Sequence, residues 1–249
     1  MRTPVAVLRR LDPGERFPVR LGGAAAGLLL VAVPGSLLVI SVVGRWAPLA
    51  SWDTSVAESV HRVALEHASL RAVAGGITHF GDTVTRAVVT VLGVGLLLRR
   101  GAIRSAVFLG TVVPLGSLIG TLTKLAVDRA RPVLPEPFAH ADGTSFPSGH
   151  AMGSTVLYGA LLLTALPLLP AAVRPLVRWL AAALVLAVGV SRVVLGVHYP
   201  SDVAGGWLIG LAWLLVAVMI FNRWRVETGE PPVEDPTKTG IEPEDASRG

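Results

Sequence analysis

Long apolar runs recur through this chain, at residues 21–43, 105–127, 150–170, 180–197 and 203–221. Each is close to the roughly 20 residues that cross a bilayer as a helix. Inside hydrocarbon every backbone N–H and C=O must pair within the chain, which leaves helices or a closed barrel. These runs are continuous rather than alternating, so they select helices. A further span is built from the clean apolar stretch 87–98 only if residues 81–86 are added. The predicted fold class is all-α: a polytopic membrane protein with six transmembrane helices in a bundle. Composition agrees, with 52% hydrophobic and 16% charged residues, where a soluble domain carries about 25% charge.

Arginines mark the sides of the membrane. Arg2, Arg9, Arg10, Arg16 and Arg20 precede the first run, and Arg99, Arg100 and Arg104 follow the second. Arg174 and Arg178 sit in the loop after the fourth run, Arg223 and Arg225 after the sixth. The positive-inside rule makes all four clusters cytoplasmic. Both termini are then inside the cell membrane, and the net charge of +5 is no sign of a nucleic-acid partner. Residues 1–20 read as a basic cytoplasmic N-terminus. The run behind them is longer than a signal-peptide core and lacks an Ala-x-Ala exit. Residues 21–225 form the membrane domain. Residues 226–249, rich in Pro, Glu and Gly, are predicted to be a disordered acidic cytoplasmic tail. The chain has no cysteine, which excludes disulfides, thiolate metal sites and cysteine nucleophiles. Between the first two spans, residues 47–80 predict a short amphipathic helix on the outer surface, with His61, His67 and His79 as surface histidines. Asp82 and Arg86, four apart, are predicted to pair on the outer turn of the second span.

Three stretches interrupt the apolar pattern with charge, and six spans put all three on the outer side. Lys124 and Arg131 are seven apart, a spacing that would place both on one helical face before Pro132. Two cations at a membrane edge suit a bound anion or, equally, lipid headgroups. Pro147-Ser148-Gly149-His150 opens the fourth span. A helix start offers free N–H groups and a positive dipole end to an anion. Gly149 allows close approach, Ser148 can cap or donate, and His150 can exchange a proton; a plain N-cap with an interfacial histidine is the alternative. The third stretch is Ser191-Arg192 followed by His198 and Asp202. Arg192 adds a cation suited to bidentate phosphate contact. His198 and Asp202 are four apart, so the carboxylate can fix the imidazole tautomer and leave one nitrogen free to attack. The same pair could form part of a metal site, but three nearby cations would repel a divalent ion.

Taken together, Lys124…Arg131-Pro132, Pro147-Ser148-Gly149-His150 and Ser191-Arg192…His198…Asp202 resemble the three motifs of the type 2 phosphatidic acid phosphatase (PAP2) superfamily. Order and spacing both match, over roughly residues 50–220. The resemblance implies that His198 is the nucleophile and forms a phosphohistidine, with Asp202 orienting it. It implies that His150 protonates the leaving oxygen and then activates water. Lys124, Arg131, Ser148, the Gly149 amide and Arg192 would hold the phosphoryl oxygens, with no metal and no cofactor. Soluble vanadium-dependent haloperoxidases share these motifs, and six apolar spans argue against that class. The implied enzyme is a metal-independent lipid phosphatase facing the outside of the cell membrane. Its candidate substrates are undecaprenyl diphosphate first, then phosphatidylglycerol phosphate and phosphatidic acid. A phosphotransferase, or a lipid-binding protein without turnover, is the alternative class. Asp53 and Asp82 receive no role from the sequence.

Overall fold

The computed structural model describes residues 13–227, which contain helices and loops and no strand. Among the described residues eight helices follow one another: α1 (Pro13–Val43), α2 (Ala47–Glu66), α3 (Ala68–Thr78), α4 (Thr83–Arg99), α5 (Ile103–Val127), α6 (Gly149–Ala165), α7 (Arg174–Val194) and α8 (Pro200–Glu227). Short 3₁₀ turns, His79–Gly81 and Leu166–Leu168, follow α3 and α6. The expected N-terminal segment 1–20 overlaps α1, which begins at Pro13; residues 1–12, and the expected tail from 228 on, lie outside the described residues.

Helix α6 is the hub, packed against α4, α5, α7 and α8. Its inner face puts Val156, Leu157 and Ala160 against Phe108, Leu109 and Val112 of α5 and against Leu214 and Ala217 of α8. The opposite faces of the outer helices are apolar and uncovered: Leu29, Leu30, Leu37 and Ile40 on α1, Val84, Val88 and Val91 on α4, Leu176, Trp179 and Leu180 on α7. Water would penalise so continuous an apolar surface; lipid does not. Helices α5 and α7 and the stretch Pro200–Asn222 are each long and apolar enough to cross a bilayer. Two pairs reach that only jointly across a bend, Gly27–Val43 with α2 at 90° and Ala68–Gly81 with α4 at 45°. The described residues thus hold three spans, or five if each bent pair counts as one, against the six expected. The difference has a physical cause. The 17 residues of α6 rise about 26 Å, short of the roughly 30 Å of hydrocarbon.

Other expectations are corrected. Residues 47–80 form two helices, not one surface helix, and Asp53 and His61 of α2 are buried. His61 Nε2 lies 2.6 Å from the Pro135 carbonyl and its ring stacks beside Phe138. It joins α2 to the 128–148 loop and is not a surface histidine. Arg174 and Arg178 lie within the first turns of α7 rather than in a loop. The Arg86 guanidinium does not pair with the Asp82 carboxylate; it turns inward to the Gly81 carbonyl, Ser117 and Thr83.

Small residues set how closely the helices approach. The expected pair Gly116 and Gly120 on α5 faces Trp213 and Met152, at 3.1 Å from where a Cβ would lie. On α8, Gly206 meets backbone: an added Cβ would stand 2.8 Å from the Ser148 carbonyl oxygen and 3.0 Å from the Met152 nitrogen. Backbone cannot swing aside as a side chain can. Gly206→Ala is therefore expected to push α8 off the start of α6 and to destabilise the protein by about 1–3 kcal/mol. A thermal midpoint in detergent checks this, together with a fall in whatever activity the α6 start supports.

Candidate active site

The three charged stretches converge at one end of the bundle. The loop after α5, the first turn of α6 and the corner between α7 and α8 meet there. The corner is held by its own hydrogen bonds: the Asp202 carboxylate, in the first turn of α8, accepts from the Tyr199 N–H at 2.8 Å. The start of α6 is tied to it, because the Ser148 N–H donates to the Asp202 carbonyl at 2.9 Å. Ser148 is fully buried, and its hydroxyl accepts from the Ala151 N–H as an N-cap. Gly149 leaves an opening over which Lys124 lies, with Cε 3.9 Å from where a Cβ would be.

His198 is almost fully buried. Its Nδ1 lies 3.5 Å from Asp202 Oδ2 and 3.4 Å from the Ser145 hydroxyl. Its Nε2 lies 3.1 Å from Arg131 Nη1. A guanidinium only donates, so Nε2 is the acceptor and carries the lone pair. The proton then sits on Nδ1, facing Asp202. This is the tautomer that an attacking Nε2 requires, and Arg131 stands at that nitrogen. Arg131 is anchored by the carbonyls of Val197, Asp142 and Gly143. The expected helical face shared by Lys124 and Arg131 does not exist. Helix α5 ends at Val127, and Asp128 turns the chain in a left-handed conformation with φ 46°. Arg131 reaches the site from irregular chain.

The other expected residues close around this pair. Lys124 Nζ donates to the Thr144 carbonyl at 2.7 Å. Arg192, in the last turn of α7, is buried; Nη1 donates to Thr78 Oγ1 at 2.7 Å, while its buried Nε has no partner. A buried guanidinium with an unmet donor is costly until an anion meets it. His150, the second residue of α6, has Nε2 2.8 Å from Asp82 Oδ1. All eight residues singled out by the sequence thus belong to the converging segments. Among the described residues no three His, Asp or Glu side chains gather as metal ligands would.

The structure adds a buried network that sequence reasoning missed. Arg129 lies two residues before Arg131 and bridges two carboxylates, Asp202 Oδ1 and Asp53 Oδ2, each at 2.7 Å. Asp53 is fully buried and also accepts from the Ser201 N–H and hydroxyl. Ser145 donates to Asp202 Oδ2, and the Arg129 guanidinium stacks 4.4 Å above the Tyr199 ring. Arg129 thus holds the carboxylate end of the His198–Asp202 pair, while Arg131 stands at the Nε2 end. Burial opposes the charge on Arg129, yet the carboxylates of Asp202 and Asp53 outweigh it and raise its pKa.

Burial also lowers the pKa of His198 from 6.5 to about 4; Asp202 opposes the shift, and the charges of Arg131 and Arg192 add to it. At neutral pH the imidazole is uncharged and nucleophilic. The sign is that of a depressed histidine. Between these two values an unfolded chain binds a proton that the native site excludes. The stability contribution is complete above pH 6.5 and is lost as pH falls toward 4. Turnover that depends on His198 is expected to show an acid limb centred near pH 4. A limb centred near pH 6.5 in a pH–rate profile would contradict the burial argument.

Comparison with known proteins points the same way. The family profile described as PAP2 superfamily matches residues 105–225. Phosphatidylglycerophosphatase B of Bacillus subtilis is 34% identical over 150 residues, covering 57% of this chain and 70% of that protein. Decaprenylphosphoryl-5-phosphoribose phosphatase of Mycobacterium tuberculosis is 33% identical over 165 residues, covering 64% of this chain and 84% of that protein. The fold is similar to the crystal structure of a transmembrane PAP2-type phosphatidylglycerolphosphate phosphatase from Bacillus subtilis. The TM-score is 0.68 and the identity 25%, over 82% of this chain and 97% of that one. With its three motifs assembled at one end of an apolar helical bundle, the chain belongs to the PAP2 superfamily and is a membrane phosphatase of that type.

Proposed function

We propose that this protein hydrolyses the terminal phosphate of a membrane lipid or lipid-linked sugar through a phosphohistidine on His198. The observation that carries the reading is the pairing of an unprotonated Nε2, fixed by Arg131 at 3.1 Å, with the buried, unpartnered Nε of Arg192. Both features await one ligand, an anion with an electrophilic centre. The phosphoryl oxygens take the donors of Lys124, Arg131 and Arg192 and the amides at the start of α6. His198 Nε2 attacks phosphorus, and its Nδ1–H is held by Asp202 as positive charge develops on the ring. His150 gives a proton to the departing oxygen. It then takes one from the water that attacks the phosphohistidine, which releases inorganic phosphate and restores both histidines. Phosphoryl transfer of this kind needs positioning and charge stabilisation more than covalent help, so the residue set is sufficient without a metal.

The six-span topology, with both termini inside and the site facing outward, is part of this proposal and rests on the distribution of arginines. A polyprenyl-linked phosphate is the favoured substrate, since the decaprenylphosphoryl-5-phosphoribose phosphatase is matched over 84% of its length. Undecaprenyl diphosphate belongs to that class. Phosphatidylglycerol phosphate is the second reading, favoured by the similar crystal structure. Purified protein in detergent, with EDTA present, is expected to release inorganic phosphate from at least one of these lipids, with phosphatidic acid as a further comparison. Dependence on added metal would sink the mechanism. Appearance of the phosphoryl group on a second lipid, rather than in water, would make the protein a phosphotransferase.

A further inference from the structure

Asp82 stands at the N-cap position of α4 with an extended backbone, yet its side chain caps nothing in its own helix. An aspartate placed there ordinarily accepts from the N–H groups two or three residues on. Its oxygens go to two histidines instead. Oδ1 lies 2.8 Å from His150 Nε2, and Oδ2 lies 2.7 Å from Nδ1 of the exposed His79. The turn that carries it is fastened in place. Tyr158 donates to the Phe80 carbonyl at 2.9 Å, and Arg86 Nε donates to the Gly81 carbonyl at 3.1 Å. Glycines let the turn close on α6. A Cβ at Gly153 would stand 1.9 Å from Arg86 Nη1, and one at Gly81 would stand 3.0 Å from His150 Cδ2.

We propose that Asp82 is a positioning residue for His150, forming a second carboxylate–imidazole pair that presents His150 Nδ1 to the leaving oxygen, with His79 at its solvent end. The inference rests on the phosphatase reading and deepens it. With Nε2–H donated to Asp82, Nδ1 is the nitrogen left to transfer the proton. A phosphate monoanion carries a proton into the site; Nδ1 takes it up and passes it to the departing oxygen as the phosphorus–oxygen bond breaks, which leaves His150 neutral. In the second half-reaction Nδ1 takes a proton from the attacking water, and the histidine is charged again. The charged groups facing His150 are Asp82, Arg86 from α4 and Arg192 from α7, with His79 behind Asp82. Asp82 is the one anion among them. Removing its charge leaves two cations unopposed, so the imidazolium gives up its proton at lower pH.

Asp82→Asn keeps the shape and removes the charge. With p-nitrophenyl phosphate the leaving group departs without a proton, so phosphohistidine formation bypasses His150 while its hydrolysis does not. The variant is expected to keep a rapid burst of p-nitrophenol within about threefold of the unaltered protein, while its steady-state rate falls roughly 10–100-fold, within the range of general acid–base effects. The alkaline limb of its pH–rate profile should move to lower pH, and Asp82→Glu should restore part of the rate. Equal loss of burst and steady state would mark Asp82 as structural only and overturn the proposal. A second readout needs no turnover. In ¹⁵N-histidine spectra, the resonance identified by its loss in His150→Gln should show Nε2 protonated, and should titrate at lower pH in Asp82→Asn. An unchanged titration would overturn the proposal. Absence of phosphate release from every lipid in the panel, beside a shifted titration, would instead refute the substrate reading and leave the positioning role standing.

Discussion

Replacing His198 with alanine is expected to lower phosphate release by on the order of 10⁴-fold or more, the scale of removing a covalent nucleophile. The folded protein should survive. His198 contributes one long contact to Asp202, at 3.5 Å, while that carboxylate keeps its bonds from Tyr199, Ser145 and Arg129. Loss of an uncharged imidazole therefore strands no charge. An unchanged elution profile in detergent, beside absent phosphate release, is the expected pair of results. Retained turnover would remove His198 as the nucleophile.

Asp53→Ala is expected to act the other way, through the fold first. Asp53 is fully buried and answers one side of the Arg129 guanidinium as well as the Ser201 N–H and hydroxyl. Removing one partner of a buried ion pair leaves the other charge uncompensated, typically at a cost of about 3–5 kcal/mol. For a domain of this size that corresponds to a fall in thermal midpoint of roughly 6 °C or more. Activity should fall as well, because Arg129 is the link from Asp53 to Asp202. Asp53→Asn, which keeps an acceptor, should lie between the two. A midpoint unchanged by Asp53→Ala would show that the network contributes little.

The residues of the candidate site were legible in the sequence because they are types that an apolar chain otherwise avoids. Arg192, His198 and Asp202 stood out for that reason, and the structure brings them together. What holds them was not legible. Asp53 and Ser201 are 148 residues apart, and no local pattern announces their pairing. Asp53 lies in a helix whose mixed composition reads as a surface element, yet its inward face is buried. A helix continuing from Lys124 to Arg131 gives Arg129 no part in the site. The left-handed turn at Asp128 ends that helix first, and beyond it two arginines spaced by two residues reach opposite ends of the His198–Asp202 pair. An Asp-Arg-x-Arg run directly after an apolar helix was the available signal. The expected pairing of Asp82 with Arg86 followed helical spacing. That rule fails at an N-cap, where the backbone is extended and the side chain can leave the helix face. The count of spans was limited by two bends and by the shortness of α6, since apolar length alone does not reveal where a helix breaks.

The most direct test is chemical trapping of the phosphorylated enzyme. His150→Ala protein, mixed with radiolabelled p-nitrophenyl phosphate and quenched in alkali, should hold phosphate because the leaving group needs no proton while hydrolysis of the intermediate lacks its base. Label is expected on the peptide that carries His198, and none in the His198→Ala protein. Label on any other residue, or label that persists when His198 is absent, would contradict it.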